Sequence, residues 1–154
     1  MTKTEYYLRI ARTVAEKSTC LKKQYGAIII NNDELVASGY NDTCRKEPHC
    51  TTCTKPSGNG DMEEYKKCPA VHAEQNAIIS ASRKEMLGAD LYLAGWEVLN
   101  EPDCTKQEMR DPRPCEICLR LIKNAGINRV INRTGIIYER MDDGIMYCLK
   151  EPND

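Results

Sequence analysis

A chain of 154 residues is long enough for one domain with a core of its own, here expected to span 1–154. Hydrophobic residues make up 41% of it and charged residues 29%, an ordinary balance for a soluble globular protein, and no apolar run approaches the ~20 residues of a membrane span. The formal net charge of −1 offers no electrostatic hold on a nucleic-acid backbone, so neither a membrane nor a nucleic acid is the expected partner.

Met1-Thr2-Lys3-Thr4-Glu5 leads directly into a polar helical pattern, so no signal peptide is expected and the cytoplasm is the expected compartment. From about Lys3 to Lys17, the apolar residues Tyr7, Leu8, Ile10, Ala11, Val14 and Ala15 recur at helical spacing and predict a helix with one buried face. Ala27-Ile28-Ile29-Ile30 and Leu35-Val36-Ala37-Ser38-Gly39 flank Asn31-Asn32-Asp33 and predict a hairpin. Asn41 to Pro69 is polar, cysteine-rich and punctuated by Pro48, Pro56, Gly58 and Gly60. It reads as a long loop of the kind a compact domain keeps for function or ties down. Helical character returns from Val71 to about Lys84, with Ala73, Ala77, Ile78 and Ala81 suited to burial. Leu91-Tyr92-Leu93-Ala94 predicts a buried strand and Glu97 to Arg113 a second polar loop. Cys115 to Ala125 predicts a helix opened near Pro114 and closed by Gly126. Arg129-Val130-Ile131 and Ile136-Ile137-Tyr138 read as strands, and 144–149 as a further strand or an irregular tail. Strands alternating with helices predict an α/β fold.

Nine cysteines behind a start of this kind point to metal ligation more than to disulfides. His72-Ala73-Glu74 and Pro114-Cys115-Glu116-Ile117-Cys118 together hold the parts of a catalytic zinc site. A neutral imidazole from His72 and thiolates from Cys115 and Cys118 make three ligands, with the fourth tetrahedral position left for water. Zinc lowers the pKa of such a water to roughly 7. Glu74, a carboxylate outside the ligand set, can move protons between that water and a departing group. His72 and Glu74 fall in the first turn of one predicted helix, Cys115 and Cys118 in the first turn of another. The i, i+3 spacing puts both sulfurs on one helix face, and a helix N-terminus favours the thiolate. Read alone, a Cys-x-x-Cys is equally a redox dithiol or half of a structural zinc site. The combination with His-x-Glu speaks for catalysis, since a structural site would add a fourth protein ligand and leave Glu74 without a task.

At these residues the chain resembles the deoxycytidylate deaminases of the cytidine deaminase superfamily. The resemblance rests on Gly26-Ala27-Ile28-Ile29 with Gly39-Tyr40-Asn41, on His72-Ala73-Glu74-Gln75-Asn76-Ala77-Ile78, and on Pro114-Cys115 to Cys118. Free-cytidine deaminases usually have cysteine where His72 stands, so His72 favours the nucleotide branch, as Asn76 does. The resemblance implies a three-layer α/β/α sandwich around a five-stranded mixed sheet. It implies zinc on His72, Cys115 and Cys118, Glu74 as proton shuttle, Asn41 on the sugar hydroxyl, the Ala73 backbone on the base, and Ile28 and Ala27 walling the base pocket. The implied activity is hydrolytic deamination of a cytosine nucleotide, dCMP to dUMP plus ammonia, by a homo-oligomer. A free nucleoside or base such as cytidine or guanine is the alternative substrate. A catalytically silent zinc module, structural or nucleic-acid-binding, is the alternative class.

Some of these deaminases carry a second, structural zinc. Cys20 and Cys50 stand at comparable positions, Cys53 completes a Cys-x-x-Cys, and Cys68 closes the loop, four thiolates suited to tetrahedral zinc. The alternatives are ordinary reduced thiols, or a set in which Cys44 or His49 replaces a ligand. The chain departs from the family by inserting Gly95 to Arg113 before Pro-Cys, by Asp42-Thr43-Cys44 after Gly-Tyr-Asn, and in its C-terminal region. Trp96 either stacks on a base or belongs to core or interface. Arg45, Lys46, Arg110 and Arg113 are phosphate-clamp candidates or solvated surface charges.

Overall fold

Thr2 opens the first helix, α1 (Lys3–Ala15), through a capping box. Its hydroxyl accepts from the Glu5 N–H at 3.1 Å while the Glu5 carboxylate accepts from the Thr2 N–H at 2.8 Å. The helix buries Tyr7, Leu8, Ala11 and Ala15, the face the spacing predicts. The hairpin follows as β1 (Lys23–Asn31) and β2 (Glu34–Tyr40), turned at Asn32 and Asp33 with φ of 52° and 63°, a type I′ geometry that suits strand twist. The computed structural model describes residues 1–53, 67–100 and 105–152. Residues 54–66 of the predicted long loop, and Cys104, therefore lie outside the described residues. At its two ends β3 (Asp42–Thr43) and β4 (Ala70–Val71) pair antiparallel and tie the loop at its base.

The helical stretch predicted from 71 to 84 is two helices, α2 (Ala73–Ile79) and α3 (Arg83–Met86). Ser82 breaks it by capping α3: its hydroxyl takes the Glu85 N–H at 3.1 Å and Glu85 returns a bond to the Ser82 N–H at 2.9 Å. Next come β5 (Asp90–Asn100), β6 (Thr105–Glu108), α4 (Glu116–Ala125), β7 (Arg129–Asn132), β8 (Gly135–Arg140) and β9 (Met146–Cys148). The expected loop from Glu97 to Arg113 is thus in large part a β5–β6 hairpin. It carries no apolar period in β6, whose Thr105, Lys106 and Gln107 are exposed. Main-chain pairing and Glu108, which takes both bonds from Arg12 at 3.1 Å, hold it instead.

The sheet has seven strands in the order β2-β1-β5-β7-β8-β9, with β6 also alongside β5. It is mixed, because β5 and β7 run parallel and the other pairs antiparallel. The five expected strands are present, and β6 and β9 extend them. Period-two alternation divides the core into two layers. Ile28, Ile30, Tyr92, Ala94 and Ile131 meet Tyr7, Leu8 and Ala11 of α1. On the other face Ala27, Ile29, Leu91, Leu93 and Val130 meet Ala73 and Ala77 of α2 and Ile122 and Ala125 of α4. Two glycines set how closely the layers approach. A Cβ on Gly26 would overlap backbone atoms of Ala11 and Ala15, and one on Gly39 would overlap those of Ala73 and Ala77.

Candidate metal centre and active site

His72 is the N-cap of α2 and Cys115 the N-cap of α4, so the site is built where two helices begin on the same side of the sheet. Gln75 Oε1 accepts the His72 N–H at 2.9 Å, which fixes the backbone that carries the imidazole. Asn76 Nδ2 donates to the Tyr40 carbonyl at 2.8 Å and seats α2 on the end of β2. Cys115 Sγ takes the Cys118 N–H at 3.4 Å, an N-cap bond that uses an otherwise unpaired helix donor.

His72 Nδ1 lies 3.6 Å from Cys115 Sγ and 3.2 Å from Cys118 Sγ, and all three donor atoms fall within 4.8 Å of one another. Tetrahedral bond lengths of 2.0–2.3 Å would separate such donors by about 3.5–3.8 Å, so the set fits one zinc ion. Among the described residues it is the one group of three or more histidine, cysteine or carboxylate donors gathered so tightly. A hydrogen bond from Cys118 holds the Cys115 thiol down to about 3, and the same bond together with burial pushes Cys118 well up. Glu74 is 4% exposed, and burial raises its carboxyl above the ordinary range despite the counteracting bonds from its own backbone and Cys118. A buried carboxyl beside the donors is well suited to exchanging protons at neutral pH.

The remaining expected site residues divide. Ala27 packs with Ala73 on the side of the sheet that carries the centre. Ile28 points the other way, fully buried with Tyr7, Leu8 and Ala11, because neighbouring strand residues alternate faces; it does not wall the base pocket. Trp96 shares the face of Tyr92 and Ala94 and does not reach the centre. Asn41 is 7% exposed and its amide is engaged with β1: Oδ1 accepts from the Tyr25 N–H and Nδ2 donates to the Lys23 carbonyl, both at 2.8 Å. One amide proton and one lone pair remain for any further partner. Arg45, Lys46 and Arg110 are exposed, whereas Arg113 is nearly buried and paired to Asp111 at 3.0 Å, so its guanidinium is committed within the fold. Cys20, Cys50, Cys53 and Cys68 do meet, lining one cavity of about 40 Å³ with Asp42 and Thr19. Burial and the neighbouring Cys20, Cys68 and Cys53 raise the Cys50 thiol. His49 stands at its margin, 3.3 Å from Asp42 and 3.0 Å from Thr19. Sequence reasoning missed Gln75, whose position at N3 of a capped helix was a usable signal. It also missed Asp111 and Asn132, which carry no local signal at all.

A mixed sheet with a His/Cys/Cys donor set on two helix starts and a buried glutamate beside it defines a zinc-dependent deaminase. Residues 1–134 match the family described as the cytidine and deoxycytidylate deaminase zinc-binding region, and the chain belongs to that family. The deoxycytidylate deaminase of Mycobacterium phage D29 is 30% identical over 133 residues, 82% of this chain and 91% of that protein. The deoxycytidylate deaminase of Saccharomyces cerevisiae is 29% identical over 147 residues, but the chain spans only 41% of its length. The apo dCMP deaminase of cyanophage S-TIM5 superposes with a TM-score of 0.60 at 25% identity, over 86% of this chain and 84% of that one.

Proposed function

We propose that the chain deaminates a cytosine nucleotide, converting dCMP to dUMP and ammonia. The observation that carries the reading is the His72, Cys115 and Cys118 donor set with the buried carboxyl of Glu74 beside it. A zinc ion held there would acidify a bound water and so supply the nucleophile for C4 of the ring. Glu74 would take one proton from the attacking water and pass it to ring N3, then take the remaining proton from the new C4 hydroxyl and pass it to the amine, which leaves as ammonia. The Ala73 backbone at the start of α2 contacts the base, and Ala27 beneath it leaves room for the ring. Asn41 uses its remaining amide proton and lone pair on the sugar hydroxyl while its other bonds hold β1.

A second zinc on Cys20, Cys50, Cys53 and Cys68 belongs to the same reading, supported by the shared cavity and by the suitability of four thiolates. Its task is to tie the loop before His72. The protein works as a homo-oligomer, for which the outer surfaces of α2 and α4 supply exposed Ile79, Ile117 and Leu121. Unbridged cysteines at both clusters fit the reducing cytoplasm.

The test is ammonia release from a panel of substrates. kcat/KM should rank dCMP above deoxycytidine and deoxycytidine above cytosine, since a free base offers no sugar hydroxyl to the remaining amide proton and lone pair of Asn41, a loss of roughly 1–3 kcal/mol. Faster turnover of a free base such as guanine would overturn the substrate while leaving the chemistry standing. No turnover of any member by zinc-loaded protein would favour a silent zinc module.

A further inference from the structure

The segment that delivers Cys115 to the metal centre is braced by a buried polar network whose members are neither zinc ligands nor Glu74. Asn132, at the end of β7, is fully buried. Its Oδ1 accepts from both the N–H and the hydroxyl of Thr134, at 2.8 and 2.7 Å. Its Nδ2 donates to Asp111 Oδ1 at 2.7 Å and to the Pro112 carbonyl at 2.8 Å. All four bonding positions of the amide are therefore filled, and both donors are spent on one short loop. The second oxygen of Asp111 accepts from Arg113 Nε at 3.0 Å, with the two side chains 10% and 11% exposed. Pro112 and Pro114 fix their own φ and keep Asp111 and Arg113 out of helical conformation. Asp111 to Pro114 is thus a stiff strut, tied at one end to the sheet and ending at the N-cap of α4.

Stability alone does not explain this arrangement. A buried ion pair gains little over apolar residues of the same shape, because desolvation offsets most of the attraction. What the network ties down is the segment that runs into the N-cap of α4, and so the approach of the chain to Cys115. We infer that Asp111, oriented by Asn132 and Arg113, is a positioning residue for the metal ligand Cys115. The inference rests on the metal centre proposed above. Partners that orient a ligand from outside its coordination sphere typically change metal affinity 10–100-fold when lost.

The experiment uses the full chain, as parent, Asp111→Ala, Asp111→Asn, Arg113→Lys, and Asp143→Ala as a control for loss of a surface carboxylate. Three quantities are read: melting temperature, rate of zinc transfer to a chromophoric chelator, and the thiolate and d–d absorption of the Co²⁺-substituted protein. Cys115→Ser identifies the kinetic phase that belongs to this centre. Asp111→Ala should release that zinc about tenfold faster or more and shift the Co²⁺ bands. Asp111→Asn, which keeps an acceptor for Asn132 but gives up the charge, should fall between it and the parent. Asp143→Ala, which loses only turn bonds to Ile145 and Tyr147, should match the parent in zinc release and Co²⁺ spectrum. An Asp111→Ala protein that melts lower yet keeps the parental release rate and spectrum overturns the inference, because the network would then be merely structural. Should Asp111→Ala fail to fold, parental behaviour in both Asp111→Asn and Arg113→Lys overturns it equally. A parent that takes up no Co²⁺ or zinc at Cys115 overturns the metal centre instead.

Discussion

His72, Cys115 and Cys118 ride on helix starts rooted in the sheet, whereas Cys20, Cys50, Cys53 and Cys68 sit on segments outside helix and strand. The first group holds its donor atoms within 4.8 Å of one another. The second only lines a cavity of about 40 Å³. Helix caps, the Gln75 and Asn76 bonds and the Asp111 strut fix the first set from outside, so its geometry is paid for by the fold. Among the described residues, the second set is supported by the β3–β4 pairing and by side-chain bonds around Thr19, Asp42 and His49, so an ion there would add order to the loop it ties.

The sharpest way to break this contrast is through Glu74, the buried carboxyl beside the first set. Glu74→Gln should keep its zinc while turnover falls by about 10²–10⁴-fold, the usual worth of a positioned proton carrier. Metal analysis beside steady-state kinetics checks it, and near-parental turnover in zinc-loaded mutant removes Glu74 from the chemistry. The next test separates the clusters by stability. Cys50→Ser should cut zinc from about two per chain to about one and lower the melting temperature by roughly 6 °C, about 2 kcal/mol of folding free energy. Cys118→Ser should remove the other zinc and all activity with a smaller fall in melting temperature. Equal melting losses in the two variants would erase the distinction between a preformed centre and an ion-organised loop.

The smallest expected effect compares the two faces of the sheet. Gly39→Ala and Gly26→Ala each force a Cβ against helix backbone, on α2 and α1 respectively, and each should cost about 1–3 kcal/mol. Only Gly39→Ala moves the helix that carries His72 and Glu74, so only it should also lower kcat in protein that remains folded. Thermal melts with activity measured well below the transition decide the matter. An equal loss of kcat in Gly26→Ala would mean that the site responds to general loosening rather than to its own helix.

The helices and the donor set were legible because their signals are local. The apolar period of α1, the i, i+3 spacing of Cys115 and Cys118 and the closing glycine at Gly126 each act over a few neighbouring residues, so the residues carry them wherever the chain folds. The hairpin turn at Asn32-Asp33 was legible for the same reason. The β5–β6 hairpin was not, since its polar second strand is held by main-chain bonds and by Arg12, a residue 96 positions from Glu108. Nor could the residues alone decide that Ile28 faces α1 while Ala27 faces the metal centre. A one-residue change of register exchanges the two, and register is set by strands distant in sequence. Asn41, Asp111 and Asn132 belong to the same class. Sequence determined that these are polar side chains able to give and take hydrogen bonds, but only tertiary structure decided that Asn41 clamps β1 and that Asn132 braces the approach to Cys115. A hydrogen bond is specific in distance and angle, and the partners here become neighbours only after the sheet has formed.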